Sequence, residues 1–158
     1  MNKILLVVVV VSALASVGAV FAVGSMPAES DVSLRLGKDT AAIFLNLRNN
    51  GLLPDCAVGV EVEGESDGKI VPLKAELHRS YLEGNIVKMA HVDRVCVGPL
   101  SEVKMRGIEG EGYHIMIMEN VEEIELFHIY LKFESGKVLH FHAEQHEGAG
   151  SQKHDHKH

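Results

Sequence analysis

From residue 31 onward the chain alternates between apolar and polar positions. In EIELFHIYLKFESG, Phe127, Ile129, Leu131 and Phe133 share one parity, while Leu126, His128, Tyr130 and Lys132 share the other. Such alternation marks a strand with one buried face. AAIFLNLRNNG repeats the pattern, with Ile43, Leu45 and Leu47 on one face and Asn-Asn-Gly closing the run. The series continues through CAVGVEVEG, a polar loop at GESDG, LKAELHRSYLEGNIVKMAHVD, RVCVG, SEVKMRG, GYHIMIM and KVLHFHAE. No helical period of any length interrupts it. About eight or nine strands at this spacing predict an all-β fold, a sandwich or Greek-key barrel.

The first residues break this pattern. MNKILLVVVVVSALASVGAVFAVGS has one basic residue, Lys3, followed by an apolar run from Ile4 to Val23. A run of roughly 20 residues reaches the length of a bilayer span, so residues 1–24 are expected to be an apolar leader helix, either a signal peptide or a retained anchor. Small residues around Val20-Phe21-Ala22 favour cleavage. Lys3 on one side, with Glu29 and Asp31 on the other, keeps the N-terminus cytoplasmic in either case. The β-domain, residues 31–144, is therefore expected in an extracytoplasmic location, periplasmic or at the cell surface. Residues 145–158, QHEGAGSQKHDHKH, read as a disordered histidine-rich tail.

Charge narrows the partners. A net charge of −7 and the absence of any Lys/Arg-rich run argue against nucleic acid. Small molecules, metals and proteins remain.

Two segments carry candidate chemistry. In GYHIMIM, strand geometry sends Ile115 and Ile117 to one face and His114, Met116 and Met118 to the other. LHRSYLEGNIVKMAHVD reads as a hairpin around Glu83-Gly84-Asn85. A turn centred on Glu83-Gly84 places His78 opposite Met89, whereas one centred on Gly84-Asn85 places it opposite His91, with Met89 still on the same face. Two imidazoles and two thioethers suit Cu(I), a closed-shell ion without strong geometric demands, and suit zinc poorly. The bland reading is that the methionines fill a core and the histidines are surface or hydrogen-bonded residues. Spacing alone leaves both readings open.

At these residues the chain resembles the periplasmic copper chaperone family that supplies the copper-A centre of cytochrome c oxidase. That family carries a histidine, ten intervening residues, a methionine, about twenty-one more residues and then His-x-Met; here His78 and Met89 are separated by ten residues and His114-Ile115-Met116 follows. The gap from Met89 to His114 holds 24 residues, and the excess is placed in RGIEGEGYH. AAIFLNLRNNG is similar to the family's early strand ending in Asn-x-Gly, and LKFESGKV to its late Thr-Phe-x-x-Gly segment. Arg79 stands where the family often has a second methionine, and Met118 is available beside the site. The resemblance implies a cupredoxin-like Greek-key β-barrel that holds Cu(I) through His78, Met89, His114 and Met116. It also implies transfer to a copper acceptor protein such as a cytochrome c oxidase subunit.

Cys56 and Cys96 are the only cysteines; a disulfide, two buried thiols and metal ligation all stay open. Neither is followed by the nearby histidine and methionine that a blue-copper site needs. His140, His142, His146, His154, His156 and His158 form a second concentration whose chemistry suits Cu(II). No nucleophile elbow, paired-carboxylate signature or phosphate loop is present, so no enzymatic activity is expected. The reading is a monomeric copper chaperone that meets the membrane only through an uncleaved leader. The alternatives are a structural or interaction β-sandwich whose tail binds metal adventitiously, and an exported enzyme using histidine-bound metal.

Overall fold

The computed structural model describes residues 25–27, 32–106 and 112–145, and every regular element among them is a strand. The leader at 1–24, the tail beyond Gln145 and residues 107–111, where the extra length was expected, lie outside the described residues. In chain order the strands are β1 (Ser25–Pro27), β2 (Ser33–Leu36), β3 (Ala41–Asn49), β4 (Asp55–Ser66), β5 (Lys69–Leu73) and β6 (Ala75–Glu83). β7 (Ile86–His91), β8 (Val95–Val97), β9 (Ser101–Met105), β10 (Gly112–Ile117), β11 (Leu126–Phe133) and β12 (Val138–Glu144) follow.

They form two sheets. One runs β1-β3-β10-β6-β7, with β2 and β9 also pairing to β3; the other runs β12-β11-β4-β5, with β8 pairing to β4. All the pairings are antiparallel. The expected all-β sandwich forms because each strand's apolar parity meets that of the facing sheet. Ile43, Leu45, Leu47, Leu77, Ile115 and Ile117 come from the first sheet, and Val62, Phe127, Ile129, Leu131, Phe133 and Phe141 from the second; all are buried in one core. β11 shows the cleanest alternation, each buried residue following a half-buried one.

Two tight turns fix the registers. Ser66 pairs with Lys69 across Asp67-Gly68, whose φ angles of 51° and 69° are the paired positive values of a type I′ hairpin. Glu83 pairs with Ile86 across Gly84-Asn85, with φ of 63° at Gly84 alone. That matches the II′ pattern, which places glycine first. This turn selects the second of the two registers open to the sequence.

Cys56 lies directly opposite Cys96 in the β4–β8 pair, and the two form a disulfide with an S–S distance of 2.07 Å. Of the three options the sequence left open, cross-strand adjacency realises this one. The bridge closes a segment that contains β5, β6 and β7.

Candidate metal centre

The II′ register builds a row of imidazoles across three neighbouring strands. His114 on β10 pairs with His78 on β6, and His78 pairs with His91 on β7. Directly paired residues project to the same side of a sheet. Leu77 and Ile115, the next residues along, point into the core, so the histidine row occupies the other face of the first sheet. The His78 and His114 ring centroids are 5.9 Å apart and those of His78 and His91 are 6.2 Å apart. Phe44 on β3 lies beside His114 at 5.9 Å.

Burial grades along the row. His114 is 1% exposed, the His78 side chain 12% and the His91 side chain 56%. Neither ring nitrogen of His114 has a hydrogen-bond partner, and Nδ1 of His78 is also buried without one. A buried polar atom left in this state costs about 1–3 kcal/mol. Desolvation and the neighbouring His78 push the His114 pKa down to about 4, so the ring stays neutral at physiological pH. A neutral imidazole with an unused lone pair is the form that binds metals.

Glu76 orients the second imidazole. Its Oε2 lies 3.2 Å from His78 Nε2 and 3.6 Å from His91 Nδ1. With His78 Nε2–H donating to that carboxylate, the free lone pair falls on Nδ1, the buried atom without a partner. Carboxylates commonly fix metal-binding histidines in this way. The hydrogen bond from His78, aided by the charges of Lys74 and His91, lowers the Glu76 pKa against the opposing effect of desolvation, and the group remains anionic. Glu76, His91 and Asp93 also line an open cleft running to Val58 and Val60 on β4.

The two methionines flank this row. Met116 lies opposite Glu76, and Met89 lies opposite Ser80. Each is therefore a diagonal neighbour of His78, on opposite sides of it, and diagonal neighbours sit roughly 7–8 Å apart, within reach of long side chains. Met116 is half-buried and Met89 is 55% exposed. Of the four residues singled out in the sequence, the structure thus brings His78 and His114 into side-by-side contact and sets Met89 and Met116 at their flanks on the same face. Met118 follows β10 and is exposed. Arg79 shares the parity of Leu77, opposite to that of the histidines, and its exposed side chain sets its guanidinium 5.8 Å from the Tyr113 ring centre and adds no donor.

Sequence reasoning did not assign His91 and Glu76 a role. One ligand atom from each of Glu76, His78 and His91 lies within 4.8 Å of the others. The signal was present: glycine at the first central position of a two-residue turn favours the register that pairs His78 with His91.

Two solved structures share the fold. The apo PCuAC domain from PmoF1 matches with a TM-score of 0.52 at 19% identity, over 77% of this chain and 92% of that one. The apo PmoF2 PCuAC domain matches with a TM-score of 0.51 at 18% identity, again over 77% and 92%. No protein-family model matches the chain, and neither does any curated protein. The chain has the fold of PCuAC domains.

Proposed function

We propose that this PCuAC-fold domain is a copper chaperone that carries one Cu(I) on the outer face of its first sheet and passes it to an acceptor protein. His78, through Nδ1, and His114 supply imidazole nitrogens; Met89 and Met116 supply thioether sulfurs. The observation that carries this reading is the pair of adjacent buried imidazoles whose ring nitrogens lack partners on a face flanked by methionine. Coordination would relieve the desolvation cost that these nitrogens carry without metal. All four donors are neutral, so the bound ion keeps its positive charge, and anionic Glu76 beside His78 balances it.

Transfer follows from the gradient of exposure. Met89 is the accessible donor and His114 the buried one, so an incoming ligand displaces the Met89 thioether first and the His114 nitrogen last. Without thiolate the site releases copper more readily than a cysteine cage. The resemblance in sequence directs the acceptor role to a copper-A-type oxidase subunit, and an extracytoplasmic location agrees with the Cys56–Cys96 disulfide.

A second reading rests on the close grouping of Glu76, His78 and His91. A carboxylate and two imidazoles suit a divalent ion such as Zn(II) or Cu(II). Competition for Cu(I) against a chromophoric chelator, under reducing conditions, separates the two. The chaperone reading expects affinity to fall in Met89→Ala and Met116→Ala and to hold in His91→Ala. The divalent reading expects the reverse dependence, read with Zn(II). Unchanged Cu(I) affinity in both methionine variants would leave a structural β-sandwich as the better account.

A further inference from the structure

The outer face of the second sheet carries its own group of histidines. His128 on β11 pairs with His142 on β12, and Tyr130 pairs with His140 two residues along. Phe127, Ile129, Phe141 and Ala143, on the opposite parity, are buried in the core, so the three imidazoles stand on the solvent side. The His128 and His142 ring centres are 4.8 Å apart, and those of His140 and His142 are 4.5 Å apart. One nitrogen from each of the three lies within 4.8 Å of the others. Bond lengths near 2.0–2.1 Å to a tetrahedral ion ask for about 3.3 Å between nitrogens, a gap that small side-chain rotations on an exposed face can close.

The surroundings are those of a supported cation site. Glu65 Oε2 lies 3.3 Å from His128 Nε2, positioned to fix that ring's tautomer. The Tyr130 ring stacks on His140 at 4.4 Å, nearly parallel, and its hydroxyl donates to Glu63 at 3.3 Å. Glu63 and Glu65 make the face negative. Desolvation and the adjacent His142 and His128 lower the His140 pKa, which favours the neutral ring that a metal requires. No methionine or cysteine belongs to this group, so its donors are nitrogen and oxygen only.

We infer that His128, His140 and His142 form a second metal site, for a divalent cation of the Cu(II) or Zn(II) class, held on the β11–β12 hairpin with Glu65 as a positioning residue. It is separate in place and in donor chemistry from the Cu(I) face. It also differs from binding by the C-terminal histidines, because its ligands lie on paired strands.

The full chain is titrated with Zn(II) by calorimetry and with Cu(II) by electron paramagnetic resonance. The wild type is compared with His128→Gln/His142→Gln and with a tail variant in which His146, His154, His156 and His158 are changed to Gln. The strand variant is expected to lose one equivalent, weakening binding beyond the ~10–100-fold typical of outer-shell changes, while its melting temperature and Cu(I) affinity stay at wild-type values. Loss in the strand variant supports the site whatever the tail variant does. Glu65→Gln should keep the nitrogen hyperfine pattern of bound Cu(II) and weaken affinity about tenfold. Wild-type stoichiometry and affinity in the strand variant would overturn the proposal, as would loss confined to the tail variant. Because Cu(I) is measured separately, failure here is distinct from failure of the chaperone reading.

Discussion

Two groups of three histidines stand on the sandwich, one on either outer face, the first across three strands and the second across two, and they differ in what surrounds them. On β10, β6 and β7 the row runs from a buried His114 to an exposed His91, with methionines at its flanks. On β11 and β12 the histidines stand among Glu63, Glu65 and Tyr130, with His140 and His142 exposed. In the proposed reading, the same side chain would serve two chemistries. Carboxylates stand beside both, Glu76 in the first row and Glu63 and Glu65 in the second, so the proposed difference in ion rests on the burial and the flanking methionines of the first row against the exposure and lack of sulfur in the second. The fold supplies both from the same alternation, since each sheet turns one parity inward and is free to place donors on the other.

The largest way to separate the two rows is through the disulfide. Cys56 and Cys96, 40 residues apart, enclose β5, β6 and β7 but not β11 or β12. Replacing both by serine should cost about 4 kcal/mol in urea unfolding, from the entropy of a loop of that length. Amide exchange should then accelerate on β6 and β7 before β11 and β12; equal acceleration everywhere would show that the rows share one cooperative unit.

The next effect is on pH. His114 has a folded pKa of about 4 against an unfolded value near 6.5, so below 6.5 the unfolded chain binds the extra proton. Stability of the metal-free protein should therefore fall as pH drops from 6.5 to 4, by on the order of 3 kcal/mol, and level off below that from this group. His114→Gln should flatten that slope. Denaturant midpoints across this range check the sign.

Smaller still is the contribution of each thioether. Met89→Ala or Met116→Ala should weaken Cu(I) by roughly 10–100-fold, about 1.4–2.8 kcal/mol, and leave Zn(II) binding on the other face untouched. At 55% exposure Met89 adds little to packing, so its removal should move stability by less than ~0.5 kcal/mol. An effect of the same small size belongs to the exposed pair of Lys132 and Glu61 on the second sheet, where Lys132→Ala should change stability by no more than ~0.5 kcal/mol. Thermal melts in low and high salt read it.

How much of this was legible in the sequence depended on whether a feature was local. The inward parities of β3 and β11 could be read from Ile43, Leu45, Leu47 and from Phe127, Ile129, Leu131, Phe133, because strand alternation is a property of neighbours in the chain. So could the shared face of His114 and Met116. The partner of His78 could not be fixed without the turn type, since moving the turn by one residue exchanges Met89 for His91. Glu76 emerged only once β6 was set between β10 and β7, a contact across distant segments. His128 joined His140 and His142 through the register of a hairpin whose loop, residues 134–137, has no two-residue turn to anchor the count. The disulfide was undetermined for a related reason: β4 and β8 are far apart in sequence, and only their pairing brings the two Cα atoms to 3.9 Å.

The central claim is that imidazoles and thioethers meet on one Cu(I). X-ray absorption at the copper edge, on the full chain loaded with one equivalent of Cu(I), reads the donor atoms directly. The account predicts a mixed nitrogen and sulfur shell that loses its sulfur in the Met89→Ala/Met116→Ala double variant. A shell of nitrogen and oxygen alone, or sulfur that survives the double variant, would contradict it.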